Sequence, residues 1–168
     1  MKLTSHEEYG LRCLLRLGKE GPGSSLTIPE ISEAEGISQA YVAKLLRMLR
    51  RGGLVQAARG NVGGYTLARP ARQIVLSDVM NVLGAPLFED GFCEAHSGQV
   101  ETCVHEVDCS LRVLWRDMQA AVDRVLQRTT LEDLFRDEKQ MIAWVEGLRD
   151  VAGRAEAEYA PVRHGHSF

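Results

Sequence analysis

No Asp or Glu stands between Gly36 and Ser77, in a chain whose 23 acidic residues outnumber its 20 Lys and Arg. Seven Lys or Arg lie in that acid-free stretch, so the sign of the charge reverses locally. Such a segment suits a duplex phosphate backbone, because each neutralised phosphate releases condensed counterions. Also lacking is any apolar run near the roughly 20 residues that a bilayer crossing needs, so no membrane partner is expected. The start, M-K-L-T-S-H-E-E-Y, has no continuous apolar core and no small-residue cleavage site, and is not expected to act as a signal peptide. A cytoplasmic location is the resulting expectation, and there thiols stay reduced. The four cysteines then read as buried thiols, metal ligands or a redox switch rather than structural disulfides. Enzyme signatures are missing too. There is no phosphate loop, no nucleophile beside a paired base, and no pair of acids in a glycine-rich setting.

The 168 residues, 45% hydrophobic and 26% charged, fit one globular domain plus an extension. Charge divides unevenly along them. Residues 1–84 carry 11 Lys and Arg against 7 Asp and Glu; residues 85–168 carry 9 against 16. Only the first half is expected to touch nucleic acid.

Apolar spacing predicts a first helix over about 5–20, with Leu11, Leu14 and Leu15 on one stripe and Gly21-Pro22-Gly23 ending it. Thr27 caps a short helix with Pro29 and Glu30 in its first turn, and Ile28 and Ile31 are its expected buried positions. Gly36 makes a turn, and Ser38 caps a third helix over about 39–52. That helix divides cleanly: Val42, Leu45, Leu46 and Leu49 share one face, and Ala40, Lys44, Arg47 and Arg51 the other. Strands are predicted at Leu54-Val55-Gln56 and Tyr65-Thr66-Leu67, joined by a turn that Gly60, Gly63 and Gly64 permit. A fourth helix over about 77–84 starts at Ser77 and Asp78. The fold class is therefore mainly α: a winged helix-turn-helix over 1–84 with a small β-hairpin wing. A cysteine-bearing irregular loop follows over 85–109. Residues 110–150 hold a long dimerisation helix, over 110–128, and a further helix, and 151–168 read as a loose tail. The long helix carries a heptad-like seam of Leu111, Leu114, Met118, Ala121 and Val125, widened by Trp115 and Val122, which fits packing on a second copy.

In a helix-turn-helix the second helix enters the major groove, and its N-terminal residues meet base edges. Here those residues are Ser38, Gln39, Ala40 and Tyr41, followed by Lys44. Arg47 and Arg51 are better placed for phosphates, which position without specifying. At the wing turn Arg59, beside Gly60 and Asn61, can drop into a minor groove, where a narrow A·T tract attracts Arg. The implied partner is double-stranded DNA. Cys93, Cys103 and Cys109 form a wide pattern without the short paired spacing of structural zinc. An iron–sulfur cluster suits it better, since its larger core accepts thiolates from several directions. His105, His96 or a carboxylate from elsewhere could supply the fourth ligand. Cys13, among leucines, reads as a small core residue.

M-K-L-T at the start, G-I-S-x-x-Y, L-R-R-G-G-L-V, R-G-x-x-G-G-Y-x-L-A-R-P and T-T-L-E-D-L-F together resemble the IscR/NsrR-type iron–sulfur winged-helix transcriptional regulators. The resemblance covers about residues 1–135. It implies a homodimer with crossed long helices on an imperfect palindrome, and a two-iron or four-iron cluster held by Cys93, Cys103 and Cys109. Some members take a fourth ligand three residues after the last cysteine, where this chain has Arg112, which cannot serve. Others take a carboxylate near the N-terminus of the opposite subunit, where Glu8 stands. Glu8 is thus the fourth ligand that the resemblance favours, and His105 the competitor. Ala43 replaces an acidic side chain of some members, which implies a different base preference. The expected function is a regulator whose operator affinity follows redox state, nitric oxide or cluster supply. Two other readings stay open: the same DNA-binding fold with a thiol–disulfide or zinc switch, and a protein-interaction module whose basic face meets an acidic partner.

Overall fold

A computed structural model of the chain describes residues 3–21, 23–58, 63–86, 88 and 91–147. They fall into two units, Met1–Phe135 and Arg136–Phe168. In the first, α1 (Ser5–Lys19) begins where the Thr4 N–H donates to Glu7 Oε2 at 2.6 Å, and ends with Arg16 and Lys19 in its last turn. Its inner stripe is Cys13, Leu14 and Leu17. Thr27 opens α2 (Ile28–Glu35), its N–H and hydroxyl both donating to Glu30 Oε2 at 2.7 Å. Those two bonds hold the Glu30 carboxyl below the ordinary carboxylate range. Ile31 is fully buried as predicted, whereas Ile28 lies half-buried at the edge. Gly36 ends α2 at φ 65, a left-handed conformation that a side chain would strain.

Ser38 accepts the Tyr41 N–H and caps α3 (Gln39–Arg51). Val42, Leu45, Leu46 and Leu49 of this helix are all shut from solvent. They meet Leu14, Leu17, Ile31, Leu54 and Val79 in one core. At about 1.5–3 kcal/mol for each fully buried aliphatic chain, this cluster is what holds the helices together. Arg12 fastens α1 to the end of α2, its Nε 3.0 Å from Glu35 Oε2 and its Nη2 donating to the Glu35 carbonyl.

β1 (Val55–Ala57) and β2 (Tyr65–Leu67) pair antiparallel, with Val55 opposite Leu67 and Ala57 opposite Tyr65. The first strand lies one residue later than the predicted 54–56, because Leu54 turns fully into the core and only Val55 begins the ladder. Leu26 bridges to β2 as well, exchanging hydrogen bonds of 3.0 and 2.8 Å with Tyr65. Gly64 makes that approach possible: at φ 115, a Cβ there would sit 2.9 Å from the Leu26 carbonyl oxygen.

The fourth helix, α4, covers Leu76–Leu83 rather than 77–84. Backbone pairing overrides the capping signal of Ser77 and Asp78. The Leu76 N–H is already committed to the Thr129 carbonyl at 2.8 Å, and Val75 stands at the N-cap. The predicted irregular loop contains one helical turn, α5 (Phe92–Ala95), opened by Gly91. Beyond it α6 runs Ser110–Arg128, the span predicted. It packs on α4, and the chain then returns to the core: Leu131 is buried, and its N–H donates to the Ile74 carbonyl at 2.8 Å. A 3-10 turn, Glu132–Phe135, closes the unit.

In the second unit 138–147 is helical, which we call α7. Asp137 Oδ1 accepts the Gln140 N–H at 2.8 Å, and the Arg136 guanidinium lies 5.4 Å from the Trp144 ring centre. The rest of the predicted helix, 148–150, and the predicted tail, 151–168, lie outside the described residues.

Candidate nucleic-acid interface and cysteine loop

The buried leucines of α3 fix the roll of that helix, and so decide which side chains face outward. Ser38, Gln39, Ala40, Lys44, Arg47 and Arg51 are all exposed, as is Arg50. No Asp or Glu shares the helix, so the cations on this face have no acidic neighbour in it. Tyr41 differs from its predicted partners. Half-buried, it turns towards α1, with the Tyr9 ring edge-on at 5.9 Å and the His6 ring at 5.6 Å. The Lys44 Nζ lies 5.9 Å from the Tyr41 ring centre. An i, i+3 pair of this kind is visible in the sequence; the contacts to α1 are not. Arg59, Gly60 and Asn61 of the predicted wing contact lie outside the described residues. At the base of the wing Arg69 is tied down, its Nη2 2.7 Å from Asp78 Oδ2 and its Nε donating to the Gln73 carbonyl. This cation of the acid-free stretch serves the fold.

The three loop cysteines are free thiols, each half-buried, on one stretch of chain between α4 and α6. Cys93 sits in α5. Its helical turn is held by packed rings, Phe88 tilted against Phe92 at 5.1 Å and Phe92 stacked on His96 at 4.1 Å and 17°. Gln119 of α6 anchors that stack by accepting the Phe88 N–H at 3.0 Å. Cys103 lies in the turn whose carbonyl accepts the Glu106 N–H. Cys109 is the N-cap of α6, its Sγ accepting the Arg112 N–H at 3.4 Å. The Arg112 guanidinium folds back over the turn and donates to the carbonyls of His105 and Glu106. Neither Gln119 nor Arg112 is marked by spacing as a partner of the loop; both act through backbone groups, which sequence patterns do not display.

Three soft thiols are the donor type that an iron–sulfur cluster takes, and in kind they fit one. They are not gathered in advance: among the described residues no three His, Cys, Asp or Glu side chains converge as a metal site. Glu8 is exposed on the first turn of α1, and His105 is exposed on the loop. His96 bonds the Phe92 carbonyl through Nδ1 at 2.7 Å. Cys13 stands apart, fully buried, and burial pushes its thiol up to about 12, with Glu35 adding to the effect.

One face of α6 is left uncovered in the single chain. Leu111, Leu114, Met118 and Val125 of the predicted seam are exposed, while Ala121, Trp115 and Val122 are half-buried. No residue of this helix is fully buried.

Comparison with known proteins gives this arrangement a context. The sequence pattern of the Rrf2 family, described as an iron-dependent transcriptional regulator, matches residues 3–137. The chain belongs to the Rrf2 family. Among Rrf2 relatives, protein rrf2 of Nitratidesulfovibrio vulgaris is 35% identical over 140 residues, 82% of this chain and 89% of that protein. The HTH-type transcriptional regulator IscR of Photorhabdus laumondii is 28% identical over 167 residues, 99% of this chain and 94% of its own. Among solved structures, CymR of B. subtilis, described as its global cysteine regulator, superposes with a TM-score of 0.66 at 30% identity, covering 82% of this chain and 99% of CymR. IscR of T. potens does so with 0.64 at 27%, covering 80% and 86%. This Rrf2 protein is accordingly a winged-helix transcriptional regulator and not an enzyme. No helix among its described residues is long and apolar enough to cross a membrane.

Proposed function

We propose that this protein works as a homodimer that binds an imperfect palindrome, and that Cys93, Cys103 and Cys109 hold an iron–sulfur cluster that controls operator affinity. The observation that carries the DNA reading is the outward face of α3. Lys44, Arg47 and Arg51 project from a helix whose opposite face is wholly committed to the core. Ser38, Gln39, Ala40 and Lys44 are the groups nearest base edges, with Tyr41 set back against α1 behind them, and Arg47 and Arg51 grip phosphates. Arg59, beside Gly60 and Asn61, would supply the minor-groove contact. The uncovered seam of α6 supports the dimer, because a second copy of the same face would shield it.

Cys93, Cys103 and Cys109 would hold the cluster, with Glu8 of the opposite subunit as fourth ligand and His105 as the competitor. When bound, such a cluster supplies iron that reacts with oxidants and nitric oxide. The chain's own residues carry the consequence to DNA. Cys109 caps α6, so any change in what its sulfur binds acts on the end of that helix. The far end of α6 is hydrogen-bonded to the start of α4, which packs on α3. Half-site spacing must match the separation of the two recognition helices, so a small shift between two dimer states costs affinity without altering a contacting side chain.

A second reading has its own support. The three thiols are free and not gathered around a common point, and the similar CymR of B. subtilis is described as a cysteine regulator. On that reading, thiol–disulfide chemistry replaces the cluster. Anaerobic purification decides: visible absorbance with iron and sulfide in the protein supports the cluster. A colourless protein whose binding to a palindromic fragment changes on thiol oxidation supports the switch. Protection of no DNA fragment under either condition would refute both.

A further inference from the structure

Three successive residues on the first turn of α1 point to three different places. His6 packs on the Tyr41 ring of α3, with 5.6 Å between centroids and 38° between planes. Glu7 is 7% exposed and turns to the end of α4, so close that a Cβ on Gly84 would lie 2.2 Å from its Oε1. Glu8 faces solvent. Successive helix positions are about 100° apart, so one rigid turn can meet all three directions at once. Gly84 is where α4 hands over to the cysteine-bearing segment. Tyr41 lies in the first turn of the recognition helix and carries Lys44 against its ring.

The His6 contact has an unusual character. Its Nε2 is shielded from solvent and has no hydrogen-bond partner among the described residues. Ring packing is therefore what seats this side chain on Tyr41, with Tyr9 completing the aromatic group edge-on. Glu7 is held differently, its Oε2 accepting the Thr4 N–H at 2.6 Å, so it cannot move without disturbing the helix start. A push arriving at Glu7 moves the whole turn, and His6 is the part of it that touches α3.

Resting on the DNA-binding reading above, we infer that the first turn of α1 couples the cysteine-bearing segment to base readout. His6 is the positioning residue that passes a displacement to Tyr41 and so sets where the Lys44 ammonium sits. His6 itself need not touch DNA.

The test uses the full chain and a palindromic fragment selected by the wild-type protein from random DNA, with its single-base variants as competitors. His6→Ala should lower discrimination at the base position that Lys44 reads by about threefold or more, and His6→Phe, which keeps a ring, should restore it. Placing His6→Ala in a Lys44→Ala background should add nothing further, because the two act in series. Gly84→Ala, a wedge far from any DNA, should shift the same position, and that shift should vanish in the His6→Ala background. Circular dichroism and melting temperature report whether each variant is folded. Should His6→Ala not fold, the Gly84→Ala series is repeated with His6→Leu. The inference is overturned if His6 variants weaken binding to every DNA variant equally, if their effect adds fully to that of Lys44→Ala, or if Gly84→Ala acts regardless of His6. A wild-type protein that selects no sequence overturns the DNA reading and this inference with it, whereas selection with silent His6 variants overturns only the latter.

Discussion

Replacing Arg47 and Arg51 together by Ala should flatten the salt dependence of operator binding. Both side chains are exposed on α3, and neither takes part in an ion pair among the described residues. In a dimer the double substitution removes four cations. If each meets one phosphate, the slope of log affinity against log salt should fall by about 3.6, at roughly 0.9 per phosphate. Across a fourfold change in salt, such as about 50 to 200 mM, the wild-type protein would then lose roughly 150-fold more affinity than the variant. Fluorescence anisotropy with a labelled palindromic duplex measures both lines. Base preference should stay as it was, because phosphate contacts position without specifying. Arg69→Ala is the contrasting substitution: its guanidinium is spent on Asp78 and the Gln73 carbonyl, so the slope should not change. Parallel lines for wild type and double variant would refute the placement of α3 against the backbone. A difference near half the expected value would mean that one recognition helix binds, not two.

Leu46→Ala should cost about 2–5 kcal/mol, since its fully buried side chain is enclosed by the core; a urea or thermal melt reads this directly. Met118→Glu would place a charge in the uncovered seam of α6, so sedimentation should show monomer and operator binding should disappear; an unaltered dimer would move the interface elsewhere. Cys13, its thiol raised to about 12 by burial, should resist alkylation at neutral pH while Cys93, Cys103 and Cys109 react, as mass spectrometry of the labelled, folded, cluster-free protein would show. The same raised thiol sets a pH limit. In the unfolded chain it ionises near 9.0, so its contribution to stability is complete below that pH and is lost as pH rises towards 12. A Cys13→Ala variant should therefore lose less stability than wild type across that range in pH-dependent melts.

Much of this fold can be read from residue order alone, and the reasons are local. The spacing of Val42, Leu45, Leu46 and Leu49 fixes the buried side of α3 and hence its basic side, and Thr27, Ser38 and Gly36 announce helix ends through backbone groups they satisfy or conformations they permit. The span of α6 was equally legible from its apolar seam. What stayed hidden depends on partners distant in sequence. A four-residue turn such as α5 is too short to show a period. The Leu26–Tyr65 rungs and the pairing of Ile74–Leu76 with Thr129–Leu131 use backbone N–H and C=O groups that every residue carries. The latter pairing is also what moved the start of α4 one residue ahead of its expected cap. In the candidate site, the exposed cations and the thiols were legible by type. The contact of His6 with Tyr41 and the grip of Arg112 on loop carbonyls were not, because they follow from how helices and turns pack.

The pairing of Ile74–Leu76 with Thr129–Leu131 has a further consequence. The chain enters α4 at Leu76, packs it into the core, and after the cysteine loop and α6 comes back beside its own starting point at Leu131, so the loop and α6 form an excursion that returns to where α4 began. The loop can change its length, its thiols or its ligands while the backbone bridge of Val75 with Thr130 holds the same register. Sensing chemistry is in this way separable from operator recognition. A relative with a different loop needs no redesign of α3, and a loop grafted between α4 and α6 inherits a ready connection to it.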